Sequence, residues 1–408
     1  MKKIYWRPRA VSRTALVLIA IIALAGLLIV EQSKGPQERP YFLEKVTAAD
    51  KSQEAMEVIK EARVEIGPPI EDAYDPTESG IIGLPMSPVT SVSGDITAKQ
   101  TSANPNFAAV LVDMLKEAGV NEGDVVAVAC SGSFPALNVA TYAAIETLGL
   151  KPIVISSAAA SQFGANVPEL LWIDMERILR DQGVFSIKSV AASIGGYEDM
   201  GVGLTEEGLR MVHEAIQRND LPRLDTLIEE SLKEGTLIRT VDPLAPPAKG
   251  DAPSFEDNIN MRLKLYEDEA EGRPIKAYIN IGGGTVSVGR SVGKKLFYPG
   301  LNLRPPGRIP QLDGVMPRLI NEGVPIIHLV QVAQLAERYG LPIAPTTAPE
   351  PSVGGVFTAD DYNRPLVVTI LALIILSMYG FIRSDIGFRI LRVPSGKKAG
   401  DGRPEPMV

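Results

Sequence analysis

Two long apolar runs near the ends of the 408-residue chain constrain its organisation more than any other feature. They cover residues 15–30 and 366–382, and basic side chains flank each run on the side of the nearer chain terminus. An α-helix rises about 1.5 Å per residue, so either run with its flanks reaches the roughly 30 Å of bilayer hydrocarbon. The runs therefore predict two transmembrane helices and a two-pass protein of the cell membrane. Its basic tails, 1–14 and 383–408, are expected in the cytoplasm and its main domain outside it.

Each run also has a second interpretation. Ala23-Leu24-Ala25 has the form of a signal-peptidase site, so the first run is either a membrane helix or a cleaved signal peptide. The apolar run continues past this site to Val30, which favours the membrane helix. The second run has 17 residues, at the short end for a span, so a buried core helix is its alternative. Its basic flank and the proline-rich stretch before it favour the membrane.

The charge of the predicted main domain excludes one class of partner. Residues 15–382 contain 30 Lys and Arg against 46 Asp and Glu, a net charge of −16. A surface this acidic has no overall attraction for nucleic acid or for another polyanion, so we expect no nucleic-acid partner. Any polyanion that binds must meet a local basic patch.

Cysteine and histidine are scarce. The single cysteine, Cys130, cannot form an internal disulfide, and His213 and His328 are the only histidines. Such a chain is held together by its core and offers little for a zinc site. The sequence predicts neither a metal site nor a cofactor. Because Cys130 closes an apolar strand, its thiol is expected to be buried.

An alternation of strands and helices begins at Asn104. It predicts an α/β fold, a layered domain with a mostly parallel sheet, flanked by the two transmembrane helices. Val125–Cys130 is continuously apolar, as is typical of a strand buried on both faces of a parallel sheet. The predicted segments between the apolar runs are a juxtamembrane helix with a Pro/Gly-rich stretch (31–103), the first part of the α/β domain (104–241), a Pro/Gly-rich linker (242–253), the second part of the domain (254–345) and a further linker (346–365).

The first candidate site is the loop from Ser131 to Asn138, between the apolar strand and a helix that begins at Pro135. Ligands of a parallel sheet bind beyond the carboxyl ends of its strands. The small residues Ser131, Gly132 and Ser133 would leave backbone N–H groups free at the helix N-terminus, where the helix dipole favours an anion such as a carboxylate. A carboxylate pocket, a nucleophilic serine and a tight packing turn all stay open, although the Gly-x-Ser-x-Gly elbow is incomplete.

The second candidate site is the glycine run Gly282-Gly283-Gly284-Thr285, which follows another apolar strand. It is similar to the phosphate-binding hairpin of the actin-like ATPases, but that family has an acid where this chain has Asn280. Three interpretations stay open: ATP binding, a loop for a ligand other than a nucleotide, and a turn in which glycine lets two backbones approach closely.

His328 is the third candidate, because it ends a predicted strand at the ligand edge of the sheet. It is the only histidine placed to activate Ser131 or Ser133, with Asp313 as the acid that would orient it. A histidine at the edge of the core without a catalytic role is the alternative.

Six short blocks of sequence carry a resemblance to a known family. They are Ser87-Pro88-Val89-Thr90, Gly94-Asp95, Lys99 to Ala109, Gly123 to Val128, Ser131 to Asn138 and Asn280 to Thr285. In this order they resemble the poly-γ-glutamate system protein, an accessory membrane component encoded with the bacterial ligase and membrane subunits that make and export poly-γ-glutamate. The resemblance implies three partners: the poly-γ-glutamate synthase membrane complex, the γ-glutamyl polymer and the lipid bilayer. It implies a pathway and assigns no catalytic residue.

Two functions are compatible with these observations. One is a membrane-anchored, extracytoplasmic and non-catalytic accessory protein of poly-γ-glutamate capsule or exopolymer synthesis and export, whose Ser131 loop recognises single γ-carboxylates. The other is a hydrolase or transpeptidase that trims or transfers γ-glutamyl chains, with Ser131 or Ser133 as nucleophile. A ligand sensor and a degenerate ATPase-like module are further alternatives. A serine loop serves both main functions, so the sequence does not decide whether the protein is an enzyme.

Overall fold

The computed structural model describes residues 13–237, 253–290, 296–305, 307 and 313–383. Most of the two predicted basic tails and of the predicted linker at 242–253 lies outside these residues. The chain divides into two compact units. The larger unit runs from residue 38 to residue 357, and the smaller unit combines the two ends of the chain.

The secondary-structure elements are named in chain order. The helices are α1 (Arg13–Gln32), α2 (Phe42–Ile66), α3 (Ile96–Ser102), α4 (Phe107–Glu117), α5 (Pro135–Thr147), α6 (Trp172–Asp181), α7 (Glu206–Arg218), α8 (Leu224–Glu234), α9 (Phe255–Ala270), α10 (Thr285–Val288), α11 (Val315–Asn321), α12 (Val332–Tyr339) and α13 (Arg364–Arg383). The strands are β1 (Gly35–Glu38), β2 (Thr90–Val92), β3 (Val125–Cys130), β4 (Lys151–Ser157), β5 (Ala160–Ser161), β6 (Asn166–Val167), β7 (Leu170–Leu171), β8 (Ala191–Ser193), β9 (Ile275–Ile281), β10 (Gly300–Asn302), β11 (Ile326–Leu329) and β12 (Thr358–Asp361).

The larger unit is built on a six-stranded mixed sheet with the order β10-β11-β9-β3-β4-β8. β10 runs antiparallel to β11 at one edge, and the other neighbours are parallel. The class is therefore α/β, as the alternation of strands and helices predicts. The central strand β3 pairs with β9 on one side, where Ala129 lies opposite Asn280, and with β4 on the other, where Cys130 lies opposite Ser156. Because these strands are parallel, their carboxyl ends meet at one edge of the sheet.

Both faces of β3 are covered by helices, and all six of its residues are buried. Val126 and Val128 belong to the larger hydrophobic core, to which α2, α4, α5 and α6 contribute. Val125 and Ala127 belong to a second core on the other face, with side chains from α9 and α11. Successive side chains of a strand point to opposite faces, so a strand between two cores needs an unbroken apolar sequence.

The smaller unit contains α1, β1, β12 and α13, and the two strands pair with each other. α1 packs against α13 at Gly26. A Cβ added to Gly26 would lie 2.5 Å from Cγ2 of Ile370, so the helices approach this closely only because the residue is glycine.

The prediction of two transmembrane helices is wrong, and so is the two-pass membrane location with cytoplasmic termini that was inferred from it. The apolar runs do form helices, but within the described residues none of the helices combines the length and the apolar content needed to cross a membrane. α1 ends in Glu31 and Gln32, and α13 begins and ends with an arginine. These polar ends leave an apolar stretch shorter than the roughly 20 residues that a membrane span needs.

We predict that Cys130 reacts slowly with a bulky thiol reagent in the native protein. Its side chain is buried at the end of β3, and burial raises the pKa of the thiol, so little of the reactive thiolate is present at neutral pH. Absorbance at neutral pH with an aromatic disulfide reagent measures the rate, and the same protein in denaturant gives the reference rate. Rapid, stoichiometric labelling of the native protein would contradict the prediction.

Candidate functional site

The loop after β3 turns directly into α5, whose first residue is Pro135. The backbone N–H of Ser133 donates to Oγ of Ser131 at 3.2 Å, and Nδ2 of Asn138 donates to the Ser131 carbonyl at 2.9 Å. Asn138 is fully buried, and its Oδ1 has no hydrogen-bond partner within the described residues. The Asn138 amide therefore holds the loop against the first turns of the helix.

The glycine run lies beside this loop. Gly282 has φ +86°, a conformation that glycine adopts without strain, and a Cβ built on it would lie 3.5 Å from both Cβ and Oγ of Ser131. A Cβ built on Gly283 or Gly284 would meet nothing within 4 Å. The two loops are therefore adjacent, with Ser131 half-buried and Gly283 and Gly284 exposed. We call the surface between Ser131 and Gly282–Gly284 the glycine groove; Thr285, which begins α10, is buried.

Gly132 and Ser133 fasten the loop after β3 to the segment after β4. The Gly132 carbonyl accepts a hydrogen bond from the N–H of Ala165 at 2.8 Å. Oγ of Ser133 accepts one from the N–H of Ser161 at 3.0 Å. Oγ of Ser131, which accepts the Ser133 N–H, is the serine hydroxyl of this loop that lies near Gly282.

His328 is buried on β11 and pairs with Asn280 on β9, not with a serine. The distance between Nδ1 of His328 and Nδ2 of Asn280 is 3.1 Å, and the same Nδ2 donates to the Gly282 carbonyl at 2.7 Å. With the amide in this orientation Nδ1 is the acceptor and the proton lies on Nε2. Burial lowers the pKa of His328 to about 4, so the ring is neutral and a weak base.

Asp313 does not orient His328. Oδ2 of Asp313 accepts a hydrogen bond from the backbone N–H of Arg290 at 3.1 Å. Within the described residues no hydrogen bond joins His328 to Asp313, Ser131 or Ser133. The candidate serine–histidine–aspartate arrangement is therefore not assembled in this structure.

Lys99 is the functional candidate that the sequence analysis missed. It lies on α3, whose first turn is capped by Asp95 through a 3.0 Å hydrogen bond from the N–H of Thr97. Its Nζ donates to Oγ of Ser161 at 3.0 Å and to the Ser133 carbonyl, and it is only 3% exposed. Burial lowers the pKa of Lys99 to about 7, and the Asp95 carboxylate opposes part of that shift.

The Phe134 ring separates Lys99 from the glycine groove. Nζ of Lys99 lies 3.6 Å from the centroid of the ring. On the groove side, Cδ2 of the same ring is 3.7 Å from the position that a Cβ on Gly282 would take. The Phe134 ring therefore lies between the buried amine of Lys99 and the glycine groove. The local sequence does not distinguish a buried lysine from an exposed one. The signal that includes Lys99 is its place in the block Lys99 to Ala109, which carries part of the family resemblance.

The loop after β8 is held rigidly at the same edge of the sheet. Glu198 and Asp199 both have positive φ, 55° and 63°. Glu198 receives two hydrogen bonds from Arg290, at 2.7 and 3.0 Å, and Asp199 forms a buried ion pair with Arg262 of α9. These ion pairs hold Glu198 and Asp199 in a strained backbone conformation. Such strain persists only where the surrounding contacts fix the conformation.

In the part of the chain that the structure describes, no three His, Cys, Asp or Glu side chains come together in a way that would hold a metal ion. In comparisons with protein-family models, curated proteins and solved structures, the chain matches none. The function must therefore be inferred from the geometry of the groove and of Lys99.

We predict that the protein loses stability as the pH falls from 6.5 to 4 because of His328. The unfolded histidine has a pKa near 6.5 and the folded one about 4, so the unfolded chain binds the proton first. The stabilisation is complete above pH 6.5 and declines toward pH 4, by on the order of 3 kcal/mol. Denaturant melts of the native protein and of His328→Gln across this range measure it; equal pH slopes for the two proteins would contradict the assignment.

Lys99 should affect stability in the same direction as His328, but at higher pH. Its pKa is lowered from 10.5 to about 7, so between these values the unfolded chain holds a proton that the folded protein lacks. Stability should therefore rise with pH from 7 to 10.5, by up to about 1.4 kcal/mol per pH unit, relative to Lys99→Met. Chemical denaturation of both proteins at pH 7 and pH 9 tests this, with Lys151→Met as the control for an exposed lysine.

Proposed function

We propose that the protein is an accessory component of poly-γ-glutamate synthesis and export that binds γ-glutamyl carboxylates in the glycine groove. The observation that carries the proposal is the adjacency of the two candidate loops, with Oγ of Ser131 3.5 Å from the Cβ position of Gly282. The sequence blocks that resemble the poly-γ-glutamate system protein include both loops. The proposed partners are the γ-glutamyl polymer and the subunits of the poly-γ-glutamate synthase complex.

The chemistry of the groove suits a carboxylate. α5 has 13 residues and begins at Pro135, which follows Ser131 closely in sequence and has no N–H. The donors at the helix N-terminus are the N–H groups that follow Pro135, at the positive end of the helix dipole. Gly283 and Gly284 add backbone without side chains, which lets a ligand approach the main chain closely. A serine hydroxyl completes the set of donors without adding a charge.

The acidic character of the domain limits how such a site would hold a polymer. With a net charge of −16 over residues 15–382, long-range repulsion opposes a polyanion lying along the whole surface. Binding would then rest on one or a few γ-carboxylates at the groove. Weak, local contacts let a growing chain advance, which fits an accessory role in synthesis and export.

The alternative in which Ser131 or Ser133 is the nucleophile of a γ-glutamyl hydrolase has less support. His328 is hydrogen-bonded to Asn280, and Oγ of Ser133 accepts the N–H of Ser161. A serine nucleophile needs a base within hydrogen-bond reach, and neither hydroxyl has one among its described partners.

Calorimetric titration with a short γ-glutamyl oligomer tests the proposal. Ser131→Ala should weaken binding by about 0.5–1.5 kcal/mol, the net contribution of one hydrogen bond. Gly283→Val should weaken it by at least about tenfold, because the new side chain fills the groove and binding then loses roughly 1.4 kcal/mol or more.

A matched control separates the groove from general effects of adding a side chain. Gly35→Val introduces the same side chain at a glycine that also has open space around it and no positive φ. It should leave the affinity unchanged. Wild-type affinity in Gly283→Val, with an intact melting curve, would exclude the glycine groove as the binding site.

A further inference from the structure

Ser161 and Lys99 form a hydrogen-bonded pair behind the Phe134 ring, outside the glycine groove. Nζ of Lys99 donates to Oγ of Ser161 at 3.0 Å, and the Ser161 hydroxyl donates to the Gln162 carbonyl at 3.3 Å. When the amine is neutral, rotation of the hydroxyl turns its proton toward the lone pair of Nζ. An activated serine nucleophile requires a base at roughly 2.6–3.2 Å, and the base must itself be oriented by another group. The distance between the two side chains meets the first requirement.

The second requirement is met by the surroundings of Lys99. Its Nζ also donates to the Ser133 carbonyl and lies over the Phe134 ring, so the amine is held in one position. Within the described residues Lys99 takes part in no ion pair with a carboxylate. Burial without an ion-pair partner favours the neutral form of the amine, although the Asp95 carboxylate opposes part of this effect. The lone pair of the neutral amine can accept a proton from a hydroxyl.

We propose that Ser161 is an acyl-transfer nucleophile with Lys99 as its general base, acting on small activated acyl compounds such as acetyl esters. This activity goes beyond the proposed carboxylate binding and does not depend on it.

The proposed reaction balances with water as the second substrate. Oγ of Ser161 forms a bond to the acyl carbon while its proton moves to Nζ of Lys99. The bond between the acyl carbon and the leaving oxygen breaks, and Lys99 returns the proton to that oxygen. Water then attacks the serine ester, gives a proton to Lys99, and Ser161 recovers its proton as the acid leaves.

The packing around Ser161 restricts the substrate to a small acyl group. Ser161 is only 5% exposed. Gly94 lies against it: a Cβ on Gly94 would be 3.1 Å from Oγ of Ser161 and 2.3 Å from the Gln162 carbonyl oxygen. Packing this close leaves less room for a branched or polymeric acyl group than for an acetyl group.

The full chain incubated with p-nitrophenyl acetate tests the proposal. We expect release of p-nitrophenol above the buffer rate, and a mass increase of one acetyl group that peptide mapping places on Ser161. The rate should increase with pH through a single ionisation near 7, because burial lowers the pKa of Lys99 to about that value.

Three variants and a control define the roles of the two residues. Ser161→Ala should abolish acylation, and Ser161→Cys, which keeps the shape of the site, should instead form a thioester. Lys99→Arg keeps a cation that does not act as a base, and it should lower the rate by about 10²- to 10⁴-fold. Lys151→Met replaces an exposed lysine at the first residue of β4 and should react at the wild-type rate.

Melting curves of all variants accompany the assay, so that loss of folding is recognised. An acetyl group found on Lys99 and not on Ser161 would overturn the proposal, as would a wild-type rate in Ser161→Ala. Absence of any acylation of the folded native protein would overturn it as well. The assay contains no glutamyl group, so its outcome does not test ligand binding in the glycine groove. The calorimetric titration tests that proposal separately.

Discussion

The hydrogen bonding of β3 to two parallel neighbours determines the arrangement of the candidate site. β3 pairs along its length with β9 and β4, and its six buried residues separate two hydrophobic cores. Parallel pairing forces the loops that follow these strands to leave the sheet at the same edge. The adjacency of Ser131 and Gly282 is therefore a consequence of strand pairing, and the loop sequences determine only which ligands the groove can bind.

The polar side chains buried at this edge lower the stability of the fold but hold the loops there in a fixed geometry. The polar groups buried here are the Asn280–His328 pair, the Asp199–Arg262 pair and Lys99. Apolar side chains at these positions would give a more stable core. Each of them connects two segments that are distant in sequence. Their common effect is to hold the loops at the carboxyl edge in one arrangement, which a site made of short loops needs in order to bind with any specificity.

The parts of this structure that the sequence could predict are those determined by local pattern. The strand Val125–Cys130 and the helix start at Pro135 follow from an unbroken apolar run and a proline, and both have the predicted bounds. Strand order is not encoded in periodicity, so the neighbourhood of β3 and β9 could not be derived. Lys99 lies in a stretch interpreted as loop, and nothing in its local sequence distinguishes a desolvated lysine from a solvated one. The transmembrane prediction is wrong because, among the described residues, neither α1 nor α13 has both the length and the apolar content that a membrane span needs.

Phe134 lies between the two proposed sites, the glycine groove and the Lys99–Ser161 pair. One face of its ring lies 3.6 Å from Nζ of Lys99, and its Cδ2 lies 3.7 Å from the Cβ position of Gly282. The ring excludes water from the amine, and this desolvation is the main cause of the lowered pKa of Lys99. A ligand in the glycine groove that shifts the ring would admit water to Lys99 and raise that pKa. By linkage, protonation of Lys99 would then change the affinity of the groove by the same factor. The side chain of Phe134 is thus the physical route by which either site would influence the other.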